Sequence, residues 1–306
     1  MKAALLSKHG GTDVFYYGDA PDPVPGPGEI VVDIHAASVN AADYKVRLGS
    51  YDSKLKFPYI LGRDFSGVVS AVGPGADLKV GDEVFAVCDA GIEGAYAEKI
   101  AIKSALAALK PAKLSHEEAA AMALTSLTAI WAIEDTAQLK KGETVLIQGG
   151  AGGVAGFAIQ LAKHIGATVI TTASAHNHDY VKSLGADQII DYRTEDFTRL
   201  GRVCDVVFDT VGGEVQVRSY EVLKPGGRLV WIAAAPAGFK SAREDVQVLR
   251  PRVARDRPHL ERMKELLAAG AVWPPAIHRY KLADAAEAHK VSEGRHLQGK
   301  LVLTVR

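Results

Sequence analysis

The stretch "TVLIQGGAGGVAGFAIQLAKHIGATVITTASAHN", residues 144–177, decides the fold. TVLIQ (144–148) has the length and composition of a buried strand, and a knot of glycines follows it. Small and apolar residues at helical spacing then predict a helix over 153–165. TVITTA (168–173) reads as a second strand and 177–185 as a second helix. The alternation continues through QIIDY (188–192), VCDVVFDT (203–210), a helix over 213–223 and GRLVWIA (227–233). Apolar strands alternating with helices predict an α/β domain with a parallel, doubly wound sheet.

Gly150, Gly152 and Ala155 fit the pattern G-x-G-x-x-G/A, with Gly153 as a further small residue and Val154 in the opening turn of the helix. Gly150 permits the tight turn, Gly152 lets backbone approach a pyrophosphate, and Ala155 lets helix and strand pack closely. The helix N-terminus offers free N–H groups and the positive end of its dipole to phosphates. A site for NAD places a carboxylate at the end of the second strand, on the ribose 2′-hydroxyl. Here that end reads TTASAHN, and no carboxylate occurs before Asp179. Ser174 stands near the usual place of the acid. Together with His176, Asn177, Tyr192 and Arg193 it supplies hydrogen-bond donors for a 2′-phosphate. The expected cofactor is NADPH.

Upstream the chain reads as β. EIVVDIHAASVN (29–40), SGVVSAVG (66–73) and DEVFAV (82–87) are short, rich in Val and Ile, and bounded by turn residues. PDPVPGPGEI (21–30) cannot be helix. Ser115 with Glu118 three residues on forms a capping-box pattern ahead of a helix-rich stretch. HLERMKELLAAGAVWP predicts a helix ending near Gly270, and GKLVLTV (299–305) a late strand returning to the β domain. The expected domains are therefore 1–120 with 270–306, and 121–269.

Lys plus Arg equals Asp plus Glu, 36 each in 306 residues, so charge gives no reason to expect nucleic acid or an acidic membrane as partner. Cys88 and Cys204 are the only cysteines. They make no CxxC pair and are expected to be inert thiols. The ten histidines show no H-x-x-H spacing, and His176 and His178 read as solvated. No apolar run reaches the ~18 residues of a membrane span. MKAALLSKHGG lacks the core of a signal peptide. A cytoplasmic protein without a metal is expected.

The chain resembles the medium-chain dehydrogenase/reductase superfamily, specifically its zinc-independent quinone oxidoreductase branch. The resemblance spans essentially the whole chain. It rests on ASVNAADYKVRLG (37–49), PYILGRDFSGVVSAVG (58–73), LKVGDEVFA (78–86), GAYAEKIAI (94–102), LTSLTAIWAI (124–133), GGAGGVAGFAIQLAK (149–163), DVVFDTVGG (205–213) and LKPGGRLVWI (223–232). It implies a GroES-like β domain packed on a Rossmann domain, an active site in the cleft between them, and NADPH as donor of a hydride to a quinone or conjugated enone. Zinc-dependent members carry a catalytic Cys, a His-Glu pair and a second Cys. In this chain Asn40 lies near the first Cys position, GRD (62–64) replaces Gly-His-Glu, and Thr125 lies near the second. No thiolate–imidazole set remains to build a zinc site. The branch commonly has Gly in place of Ala155, a swap that keeps the packing argument.

By the same resemblance Asn40 sits in the cleft and donates its amide to the acceptor oxygen, and Tyr44 is the candidate proton donor. A turn-forming Asn and a packed aromatic are the competing structural roles. Tyr51 and Tyr59 are candidates for lining the substrate pocket, while Arg63 and Asp64 pair with each other or with neighbours. Thr125 and Thr128 begin the helix that in this family faces the nicotinamide. Val211, Gly212, Ala233 and Ala234 end two strands at the carboxyl edge, where doubly wound folds bind ligands. Gln298, Gly299 and Lys300 pass near the nicotinamide. An enoyl-thioester reductase and a non-catalytic NADPH sensor are the alternative functions. The run VQVL (246–249) reads as an exposed sheet edge, and a homodimer is expected.

Overall fold

The structure, a computed structural model, describes residues 1–51, 55–89, 91–241 and 243–306. Eight strands lie in the first part of the chain: β1 (Lys2–Leu6), β2 (Phe15–Asp19), β3 (Glu29–Val39), β4 (Tyr59–Ile60), β5 (Asp64–Val72), β6 (Glu83–Val87), β7 (Lys99–Lys103) and β8 (Ala107–Leu109), with helix α1 (Ala41–Arg47) after β3. Helix α2 (His116–Ile130) follows. Then come β9 (Thr144–Ile147), α3 (Gly153–Ile165), β10 (Thr168–Thr172), α4 (His178–Ser183), β11 (Gln188–Ile190), β12 (Cys204–Asp209), α5 (Glu214–Ser219), β13 (Leu223–Trp231) and β14 (Gln247–Leu249). Helix α6 (Arg257–Ala268), β15 (Ile277–Lys281), α7 (Ala285–Glu293) and β16 (Lys300–Thr304) complete the chain.

The chain divides into two compact units, Met1–Leu124 with Arg255–Lys264 and Pro274–Arg306, and Thr125–Ala254 with Glu265–Trp273. Residues 255–264, placed by sequence with the nucleotide domain, group with the first unit. Two arginines tie the start of this segment to that unit. Arg255 Nη1 donates to the carbonyls of Cys88 (2.9 Å) and Asp89 (3.0 Å), and Arg257 Nε to that of Ala107 (2.6 Å).

In the first unit a seven-stranded sheet carries the order β15-β16-β3-β5-β6-β8, with β7 also paired to β3. A three-stranded sheet runs β2-β1-β4. β3 is long because EIVVDIHAASV is apolar almost throughout, and it is buried almost throughout. Its carboxyl end is gripped from both sides. β16 runs antiparallel with Leu301 opposite Val39, which sets Lys300 beside Asn40. β5 runs antiparallel on the other side with Phe65 opposite Ala37, which sets Asp64 beside Ser38. GKLVLTV is thus a late strand returning to the β unit.

The second unit is the expected doubly wound sheet. All pairs in the order β11-β10-β9-β12-β13-β14 are parallel. Val145, Leu146 and Ile147 of β9 and Val206, Val207 and Phe208 of β12 are fully buried, as fits strands covered on both faces. The chain leaves β9 for β10 on one side and returns to β12 on the other, so the switch point lies at the carboxyl ends of β9 and β12. Helix α2 starts at the capping box. Glu118 N–H donates to Ser115 Oγ (3.1 Å) and Ser115 N–H to Glu118 Oε2 (2.8 Å). Thr125 and Thr128 therefore lie in its third and fourth turns and do not begin a helix. Among the described residues, no helix is long and apolar enough to cross a membrane.

Candidate functional site

At the switch point of the second unit, Gly149 takes φ +74°, and its N–H donates to Thr172 Oγ1 (3.0 Å). That left-handed conformation is open to glycine at little cost. Gly150 N–H donates to the Thr172 carbonyl (2.9 Å). A Cβ on Gly150 would stand 2.2 Å from Thr171 Oγ1, so only glycine lets the loop lie this close to β10. The N-cap is Gly152, and the helical ladder starts with Gly156 N–H on the Gly152 carbonyl (2.7 Å). The amides of Gly153, Val154 and Ala155 precede it, and the first turn carries no acidic side chain. A thirteen-residue helix thus presents free N–H groups and its positive dipole end beside half-exposed glycine backbone. This is a cradle that a pyrophosphate fits.

The neighbouring loop is pinned by Asp209 at the end of β12. Its Oδ1 accepts from the N–H groups of Val211 (2.9 Å) and Gly212 (3.0 Å). Gly212 has φ +77°, and a Cβ there would stand 2.7 Å from the Ala234 carbonyl oxygen. Val211, Gly212 and Ala234 therefore share one edge with the glycine loop, with the Ala233 carbonyl accepting from Gln216 Nε2 (3.4 Å). At the end of β10, Ser174 and Asn177 are buried, and Asn177 Nδ2 donates to Ser174 Oγ (3.2 Å). Asn177 Oδ1 is buried with no partner in the protein. His176 is exposed, with Nε2 3.4 Å from Ser174 Oγ, and His178 is half-buried, so only His176 is solvated as expected. Tyr192 is 46% exposed. Thr125 and Thr128 are buried within α2.

In the first unit, polar groups converge on the start of α1. Asn40 Nδ2 donates to Asp64 Oδ1 (2.7 Å), and Asn40 Oδ1 accepts from Lys300 Nζ (2.7 Å). Lys300 Nζ donates also to the Val39 carbonyl (2.8 Å). The Lys300 ammonium, which the resemblance sets near the nicotinamide, is buried and bonded to Val39 and Asn40, because the β16 register carries it there. The neighbouring Gly299 has φ +73°, with space for a Cβ closed by the Ala276 carbonyl oxygen at 2.0 Å, and the Gln298 carbonyl meets His278 Nε2 (2.9 Å). Tyr44 is buried, and its hydroxyl accepts from Arg295 Nε (3.2 Å). Tyr51 is 57% exposed beneath Lys45 and Arg63, and Tyr59 is half-buried in β4.

Arg63 does not pair with Asp64. It lies between Asp43 (3.1 Å) and Glu93 (2.7 Å). Tyr96 OH donates to Asp43 Oδ2 (2.8 Å) and meets His289 Nε2 (3.3 Å), and His289 Nδ1 accepts from Arg47 Nε (3.4 Å). Arginine has no acceptor, so His289 carries its proton on Nε2. Burial drives the electrostatics of this group. It raises the Asp43 and Asp64 carboxyls, lowers the Lys300 ammonium and pushes Glu93 up to about 7, with the Asp43 charge adding to the last. Burial also lowers His289 to about 3, and so keeps it neutral. Glu93, Tyr96 and His289 carry no sequence signal of their own. They become visible only when the sheet brings them to Asp43.

Burial raises the Cys88 thiol and pushes Cys204 to about 12, so neither is a thiolate near neutral pH. Among the described residues, no group of three or more His, Cys, Asp or Glu side chains is placed to hold a metal ion.

The glycine cradle yields a prediction. Gly150→Ala should weaken NADPH binding, measured by titration calorimetry, at least tenfold, or about 1.4 kcal/mol. Gly150→Ala with Thr171→Ala should recover part of the loss. Unchanged affinity in the single variant would mean that this close approach does not shape the site.

A profile for the alcohol dehydrogenase GroES-like domain matches residues 26–112, and one for the zinc-binding dehydrogenase family matches residues 184–303. The chain is 34% identical to the NADPH-dependent alkenal/one oxidoreductase of Arabidopsis thaliana, over 99% of this chain and 79% of that protein. It is 33% identical to a mycocerosic acid synthase-like polyketide synthase of Mycobacterium tuberculosis, over 92% of this chain but only 14% of that far longer protein. It superposes with a TM-score of 0.91 and 30% identity on the Escherichia coli quinone oxidoreductase solved with NADPH, with all of both chains covered. The chain belongs to the medium-chain dehydrogenase/reductase superfamily, in its quinone-oxidoreductase-like branch.

Proposed function

We propose that this protein is an NADPH-dependent, zinc-independent oxidoreductase that reduces a quinone or a conjugated enone. The observation that supports it most is the Asn40 amide, held between Lys300 and Asp64 near the position where zinc-dependent members carry a thiolate. An amide supplies an N–H to a developing oxyanion, so an electrophilic acceptor needs no metal to polarise it. The nicotinamide supplies a hydride from C4 when bound. The backbone amides of Gly153 and Val154 hold the phosphates. Gly150 and Gly212 give the backbone its closeness to the nucleotide. Ser174 stands near the place where NAD-binding members carry a carboxylate, with His176 and Asn177 beside it as donors, and the lack of that charge favours the 2′-phosphate. The names of the plant and E. coli relatives point the same way.

In this reading Asn40 donates to the acceptor oxygen as charge develops there. The Tyr44 hydroxyl accepts from Arg295 and so keeps its own proton free to be given. A quinol oxygen equally takes its proton from water, so Tyr44 matters more for an enone. Thr125, Thr128, Val211, Ala233 and Ala234 are assigned to the nicotinamide half, and Tyr51 and Tyr59 to the acceptor.

The test is NADPH consumption followed with a quinone, with an enone, with an enoyl thioester and without acceptor, against NADH in parallel. Acceptor-dependent oxidation of NADPH in preference to NADH is expected, and Asn40→Ala should cut kcat about 10²–10³-fold. Turnover confined to the enoyl thioester would move the substrate to that class. Tight NADPH binding without turnover on any acceptor would make the protein a sensor.

We also propose a homodimer. β14 is the edge of the parallel sheet, and Val248 on it is 47% exposed. An open ladder of this kind is one that a second chain can extend. Light scattering on a sizing column should give twice the chain mass, and a monomer at micromolar concentration would refute this.

A further inference from the structure

The Asn40 amide has two chemically different ends, and its two partners cannot exchange them. The Lys300 ammonium meets Oδ1 at 2.7 Å. An ammonium has donors only. The Asp64 carboxylate takes Nδ2–H at 2.7 Å. A carboxylate only accepts. The orientation of the amide thus follows from the chemistry of its neighbours. Both neighbours are themselves fixed. Asp64 is 0% exposed and accepts from Ser38 Oγ at 2.8 Å to each oxygen and from Leu124 N–H at 3.2 Å. Lys300 is 4% exposed and tied to the Val39 carbonyl. The backbone is held too, since Asn40 N–H donates to Asp43 Oδ2 at 2.9 Å.

A buried charge is costly unless paired. Here two opposite charges are buried and set on either side of one amide. An amide is planar and its nitrogen carries two donors in that plane, so fixing one N–H on Asp64 fixes the direction of the other. The contacts from Nδ2 to Ser38 are both 3.5 Å. That is too long to hold the second N–H.

We propose that Lys300 and Asp64 are positioning residues that lock the Asn40 side chain so that its second amide N–H points at the acceptor oxygen. This rests on the reading of Asn40 given above. It makes Lys300 act through Asn40 and not on the nucleotide.

The test compares wild type with Lys300→Met and Lys300→Arg, and with Asp64→Asn combined with Lys300→Met. The double variant buries no unpaired charge and keeps the experiment alive if the single variant does not fold. Three readouts are needed: kcat for the acceptor, the Kd for NADPH, and the Asn40 side-chain amide in a proton–nitrogen NMR spectrum. In wild type the two amide protons should be well separated and slow to exchange with solvent. In Lys300→Met or the double variant they should move together and exchange faster. kcat should fall about 10²-fold with the Kd for NADPH within about twofold, and Lys300→Arg should regain part of kcat. A Kd for NADPH that weakens as much as kcat falls would make Lys300 a nucleotide ligand and overturn the proposal. Unchanged Asn40 amide signals in both variants would overturn it as well. If wild type turns over no acceptor, the reading of the function fails. The amide spectrum then still decides whether Lys300 and Asp64 hold Asn40.

Discussion

The carboxyl end of β3 is the constraint on which the first unit depends. β16 and β5 clasp it antiparallel, and their registers bring Lys300 and Asp64 to the two sides of the residue where the strand turns into α1. Neither charge is accessible to water. Ions in such surroundings cost several kcal/mol each unless opposite charges and hydrogen bonds offset it. Asn40 supplies the link between them. The same logic extends outward. Arg63 lies between Asp43 and Glu93, and Tyr96 joins Asp43 to a neutral His289. The core beneath is ordinary apolar packing of Ile30, Val32, Ile34, Leu61, Phe65 and Leu301.

The second unit meets a different constraint. Its loop must bring bare backbone to the ends of two adjacent parallel strands while a helix begins beside it. Gly150 beneath Thr171 and Gly212 against Ala234 are the two places where a side chain would push the backbone away. Asp209 holds the second loop through two backbone N–H groups, and burial raises its carboxyl. The arrangement leaves free N–H groups of the α3 N-terminus at that edge, which is what a pyrophosphate requires.

Much of this was legible in the residues. The glycine run between TVLIQ and a helix, and the apolar strands that follow, dictate a parallel sheet because their periodicity admits little else. Ser115 and Glu118 announce the start of α2. The first unit was harder to read. Lys300 and Asn40 are 260 residues apart, and only the register of β16 on β3 says that the ammonium turns inward to Asn40. Arg255 and Arg257 carry their segment to the first unit through hydrogen bonds to distant carbonyls, which no local pattern reveals. Thr125 and Thr128 lie inside the helix that the Ser115 and Glu118 capping box starts, and not at its beginning. Burial decides the states of Glu93, Tyr96 and His289, and burial is a property of the assembled sheet.

The central claim is that a nicotinamide-dependent reduction runs on hydrogen-bond donors without a metal. The most direct test follows a label. Protein stripped of metals with a chelator would be given NADPH carrying deuterium at the reactive C4 position together with a conjugated enone, and the product examined by mass spectrometry and NMR. The account predicts deuterium on the β-carbon of the reduced enone, at an undiminished rate, after the metals are gone. Deuterium transfer that appears only when zinc is restored would contradict it.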